Sequence, residues 1–66
     1  MVYSAVYHVA PRMGRWTVEQ EGGDPAAATC ADKASAVRLA QELARTRRAL
    51  LVLHRDDGSV HAEHHY

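Results

Sequence analysis

The residues best placed to do chemistry are the histidines. His8 stands near the start, while His54, His61, His64 and His65 fall within the stretch LLVLHRDDGSVHAEHHY. Alternate residues share one face of a strand, so the outcome depends on a turn. If Asp57-Gly58 forms a two-residue loop, His54 lies opposite His61 and Val52 opposite Glu63. His54, His61, Glu63 and His65 then share a face, and neutral imidazoles with one carboxylate could hold zinc or nickel. If Asp56-Asp57-Gly58 forms a three-residue bulged loop, His54 faces Val60 and the cluster breaks up. The plainer reading is the solvated side of an edge strand, because no cysteine or second carboxylate completes a ligand set. Between these stands a pH-dependent interface, since unperturbed imidazole titrates near about 6.5.

The arginines form the second group. Arg38 and Arg45 are two helical turns apart with Arg48 nearby, a spacing that could contact phosphates. Glu42 sits at helical spacing from both and offsets them, so a solvated helix face explains the pattern equally. The formal net charge is zero, with eight basic and eight acidic residues. That argues against a strong nonspecific nucleic-acid binder. Trp16 and the three tyrosines could stack on bases, yet a chain with no phenylalanine needs them for its core. Cys30 is the sole cysteine. It excludes an internal disulfide, and nothing beside it in sequence marks an activated thiol. The glycines sit in turns without a phosphate-cradling pattern. No catalytic set, cofactor motif or metal set emerges, and a domain this small leaves little room for a concave pocket. The expectation is a non-enzymatic chain.

These groups are carried by few elements. Sixty-six residues make one small α+β domain with a limited core. Residues 2–10 read as a strand with Val2, Ser4, Val6 and His8 on one face and Tyr3, Ala5, Tyr7 and Val9 on the other. Pro11 should end it, having no amide proton for a ladder. RWTVEQ (15–20) alternates again, with Trp16 and Val18 inward, completing a first hairpin. EGGDP is a loop, and AAATCA is either a short edge strand or an irregular approach to a helix. Asp32 is the expected N-cap. Residues 33–46 follow helical spacing, with Ala36, Val37, Leu39, Ala40, Leu43 and Ala44 on the apolar side. The helix should end near Thr46–Arg48. ALLVLH (49–54) and VHAEHHY (60–66) make a second hairpin. The predicted architecture is ββ-α-ββ: a small antiparallel sheet of two hairpins, with one helix packed on one face.

Several short motifs recur together in a known family. HVAP (8–11), GRW (14–16), EGG (21–23), DKASAV (32–37), LVLH (51–54), DDG (56–58) and Tyr66 stand in the order and spacing of a family of short bacterial domains of unknown function, number 2188 in that series. The chain resembles that family over nearly its whole length. The resemblance implies a compact strand–helix–strand domain and no assigned activity. Such domains usually end in Ser-Tyr-Gly and carry a bulky aromatic near the place of Cys30, where this chain has His65-Tyr66 and a small thiol.

One helix leaves the other sheet face uncovered, and a second copy of the chain would cover it. The reading is a small homodimerising interaction module, with Tyr3, Tyr7, Leu50, Val52 and Tyr66 as candidate interface residues. Alternatives are a nucleic-acid-binding accessory domain through Arg38, Arg45 and Arg48, and a metal- or pH-responsive module through the C-terminal histidines. No apolar run approaches a membrane span and the start lacks a signal-peptide pattern. A cytoplasmic location is the default expectation.

Overall fold

The structure, a computed structural model, describes residues 5–23 and 28–66. Five strands and one helix follow in the order β1 (Val6–Arg12), β2 (Arg15–Gln20), β3 (Ala28–Cys30), α1 (Lys33–Arg47), β4 (Leu50–His54) and β5 (Val60–His65). The strands form one sheet in the order β3-β2-β1-β4-β5. The α+β layout with a helix between two hairpins is present. The sheet has five strands rather than four, because AAATCA supplies β3 at its edge. It is also mixed rather than antiparallel: β1 and β4 run parallel at its centre, Val6 beside Leu50 through Val9 beside Leu53. The helix separates the two hairpins and allows this crossover, which a tight turn could not make.

The first hairpin departs from expectation at Pro11, which lies inside β1 opposite Trp16. The ladder explains why it is tolerated. Glu21 donates its amide to the Val6 carbonyl at 2.8 Å, so even-numbered residues of β1 bond to β2 and odd-numbered ones turn away. The missing Pro11 proton would have pointed toward β4, whose pairing stops at Val9. No ladder bond is lost. Met13 and Gly14 make the two-residue turn with φ of 51° and 79°, the left-handed pair that suits strand twist.

Asp32 caps the helix as expected: its carboxylate accepts the Ser35 amide at 2.8 Å. The interaction holds its carboxyl below the usual range. At the other end Arg48 adopts φ 51°, ψ 51° and donates its amide to the Ala44 carbonyl. The contact stripe is made of alanines: Ala36, Ala40 and Ala44 are fully buried. Such small side chains let the helix lie close on the sheet. Val37 and Leu43 flank the stripe, half-buried against the core. Leu39 is exposed, contrary to its predicted place on the apolar side, because each residue turns about 100° and it precedes Ala40.

Beneath the helix the core is Ala5, Tyr7, Val9, Val18, Ala49, Leu51 and Leu53. The alternation read for β1 holds from Ala5 to Val9. Residues 2–4 of the strand read at 2–10 lie outside the described segments. Burying Leu51 completely contributes about 1.5–3 kcal/mol. No helix among the described residues is long and apolar enough to cross a membrane.

Candidate functional site

The helix-free face is not the apolar surface the sequence suggested. Ladder pairing places Val6, His8, Ala10 and Arg12 of β1 on it, with Thr17 and Glu19 of β2 and Leu50, Val52 and His54 of β4. Glu63 and His65 continue it onto β5. The larger apolar side chains, Val6, Leu50 and Val52, form one patch, and beyond it Ala10 stands among polar groups.

The C-terminal turn decides what His54 meets. Arg55 donates its amide to the Ser59 carbonyl at 2.8 Å, and Gly58 to the Arg55 carbonyl at 2.9 Å. This is the three-residue loop Asp56-Asp57-Gly58, with Gly58 at φ 90°. Asp57 braces it by accepting from the Ser59 amide and hydroxyl at 2.9 and 2.7 Å, which holds the Asp57 carboxyl below its usual range. His54 accordingly faces Val60. A bulge then absorbs one residue, and Val52 lies opposite Glu63 as the two-residue loop would have had it. His54 and His61 are therefore not a facing pair. Among the described residues no three His, Cys, Asp or Glu side chains come close enough to hold a metal.

His54 meets His8 instead. His8 Nδ1 and His54 Nε2 are 2.9 Å apart, with ring centroids 5.2 Å apart and planes at 33°. The other nitrogen of His54, Nδ1, lies 2.9 Å from the Gly58 carbonyl oxygen. A carbonyl can only accept, so neutral His54 carries its proton on Nδ1 and offers a bare Nε2. His8 must then donate from Nδ1. The order of protons is fixed from the turn inward: Gly58 carbonyl, His54, His8. Glu21 follows, its carboxylate 3.9 Å from His8 Nε2, too long for a hydrogen bond.

Arg12 and Glu19 form the opposite wall. Arg12 donates from Nε and Nη2 to the two Glu19 oxygens at 2.7 and 3.0 Å. The Thr17 hydroxyl lies 2.8 Å from Glu19 and 3.3 Å from the Ala10 carbonyl. Arg12 holds the Glu19 carboxyl below its usual range against an upward push from burial, and Thr17 adds a smaller lowering. His8, His54, Arg12, Glu19, Glu21 and Gly58 line an open cleft of about 500 Å³. That is within the size range of small-ligand pockets, so the expectation of little concave room does not hold.

The residues singled out from sequence are scattered. Tyr7 is 2 % exposed and belongs to the core beneath the helix, so it is not part of the helix-free face. Tyr66 packs on the same core and donates its amide to the Ala49 carbonyl at 3.1 Å. Leu50 and Val52 do lie on the helix-free face, Val52 only 5 % exposed. Tyr3 lies outside the described residues. Arg38 is exposed on the helix, Arg45 pairs with Glu42 at 3.3 Å, and Arg48 is the helix C-cap. Trp16 packs on the core with the Lys33 ammonium 5.2 Å over its ring. Cys30 is half-buried on β3 opposite Trp16. The residue overlooked was His8. Its signal was a histidine on the face of β1 opposite Tyr7, and it gains meaning only when β4 is known to lie beside β1.

Fold and site together define a one-helix α+β domain whose second sheet face carries a histidine pair in an open cleft. The chain belongs to the family described as an uncharacterized protein conserved in bacteria (DUF2188), whose model matches residues 7–66. No curated protein and no solved structure matches the chain.

Proposed function

We propose that the chain is a non-enzymatic interaction module that acts as a homodimer, with the contact on the β4–β5 side of the sheet. The observation that supports this is one-sided layering. The helix covers one face, while half-buried Val6 and Leu50 stand on the other, and among the described residues β5 has β4 as its one strand neighbour at the sheet edge. Small domains commonly complete a limited core by self-association. The reading no longer needs Tyr7 or Tyr66 in the contact. A dilution series of amide NMR spectra tests it. Concentration-dependent shifts are expected on β5 and at Leu50 and Val52, with the helix residues Ala36, Ala40 and Ala44 unmoved. Spectra that do not change with concentration would refute it.

The His8–His54 bond favours a second, proton-responsive reading. A neutral pair, or a pair sharing one extra proton, keeps the N–H···N bond; two imidazolium rings present donors to each other and break it. The predicted histidine switch thus moves from the C-terminal cluster to His8 and His54. Replacing His54 by Gln, whose side chain cannot become a cation, should make melting less sensitive to acidification than in the wild type. An unchanged profile would count against this reading.

A further inference from the structure

The strand β5 closes one edge of the sheet and, among the described residues, pairs with β4 alone. Its sequence, VHAEHH, has no lysine or proline, the residues that commonly block pairing at an edge. The direction of its main-chain groups is set by the amide of Tyr66, which donates to Ala49. By alternation Ala62, His64 and Tyr66 turn toward β4, and Glu63 and His65 turn outward. Outward groups bond only to outward groups, so a second β5 can pair antiparallel about Ala62, Glu63 or His64, but not midway between two residues.

The three centres are not equivalent. A centre on Ala62 needs Val60 and His61, where the bulge opposite His54 interrupts the regular strand. A centre on Glu63 sets two carboxylates face to face, a destabilising cross-strand pair. A centre on His64 uses the regular stretch from Ala62 to Tyr66 and places each Glu63 opposite His65 of the other copy.

We propose that two copies of this chain join their β5 strands antiparallel about His64, extending one continuous sheet through both. This rests on the homodimer reading above and specifies its contact. The two-fold axis stands perpendicular to the sheet, so both helices lie on one side and both histidine clefts on the other. The contact is small, which puts association in the weak, transient class.

Single cysteines test the register. In a Cys30→Ser background, Ala62→Cys, Glu63→Cys and His64→Cys each report one centre by oxidation to a disulfide dimer. His64 is exposed and would form a non-hydrogen-bonded pair, with Cα atoms about 4.5 Å apart, inside the range a disulfide spans. His64→Cys should cross-link several-fold faster than the other two. Fastest cross-linking at Ala62 or Glu63 would overturn this register and leave the homodimer standing. No cross-linking at any of the three, with the wild type still dimeric by sedimentation, would overturn β5 pairing altogether. A wild type that is monomeric throughout would refute the homodimer itself. Glu63→Pro gives a second check, because the Glu63 amide points outward and no bond within the chain is lost. It should yield a folded monomer by circular dichroism; a folded dimer would contradict the proposal.

Discussion

The two faces of the sheet are built on different principles. Under the helix, Tyr7, Val9, Val18, Leu51 and Leu53 meet a row of alanines, and every one of those positions is closed to solvent or nearly so. On the other face the same strands present His8, Arg12, Thr17, Glu19 and His54, held by a hydrogen-bond network rather than by packing. Among the described residues no buried side-chain nitrogen or oxygen lacks a partner. Stability is concentrated on the first face. Groups able to bind, titrate or recognise are concentrated on the second.

Substitutions on the two faces should therefore separate. The largest effect is expected for Leu51→Ala, a loss of about 2–5 kcal/mol measured by denaturant unfolding. A loss below about 1 kcal/mol would mean the helix-covered face is not the core. Next is Ala40→Leu, which inserts bulk at a fully closed position between helix and sheet and should cost about 1–3 kcal/mol. His54→Ala follows, at about 0.5–1.5 kcal/mol, for the loss of its bonds to His8 and Gly58. In the opposite direction Arg48→Gly relieves a left-handed cap and should add about 0.5–1 kcal/mol. The smallest effect is the Arg12–Glu19 pair. The folded-state Glu19 carboxyl is held low, so its contribution is present at neutral pH and is lost as pH falls through that lowered value. The wild type should lose slightly more stability on acidification than Glu19→Gln. Equal acid sensitivity would remove the pair from the account.

The covered face was largely legible in the sequence, and the open face was not. Strand alternation from Ala5 to Val9, the Asp32 cap and the alanine stripe are local patterns, and local physics decided them. Pro11 was misjudged because its effect depends on which neighbour its missing proton would have faced. Tyr66 was misplaced because its packing is set by the end of a ladder rather than by alternation within one strand. The histidine site depended on two non-local facts: β4 pairs with β1, and the Asp56-Asp57-Gly58 loop turns the Gly58 carbonyl toward His54. The turn was recognised as the deciding feature, but its register followed from hydrogen bonds at Arg55 and Ser59 that residue types alone do not specify. His8 and His54 are 46 residues apart in the chain, so no spacing rule could have joined them.

The claim that the open side of the sheet serves self-association is tested most directly by sedimentation equilibrium of the wild-type chain from low micromolar to near-millimolar concentration. The account predicts a mass that rises with concentration from the 7.3 kDa of one chain toward twice that value. A mass that stays at 7.3 kDa across the whole range would contradict it.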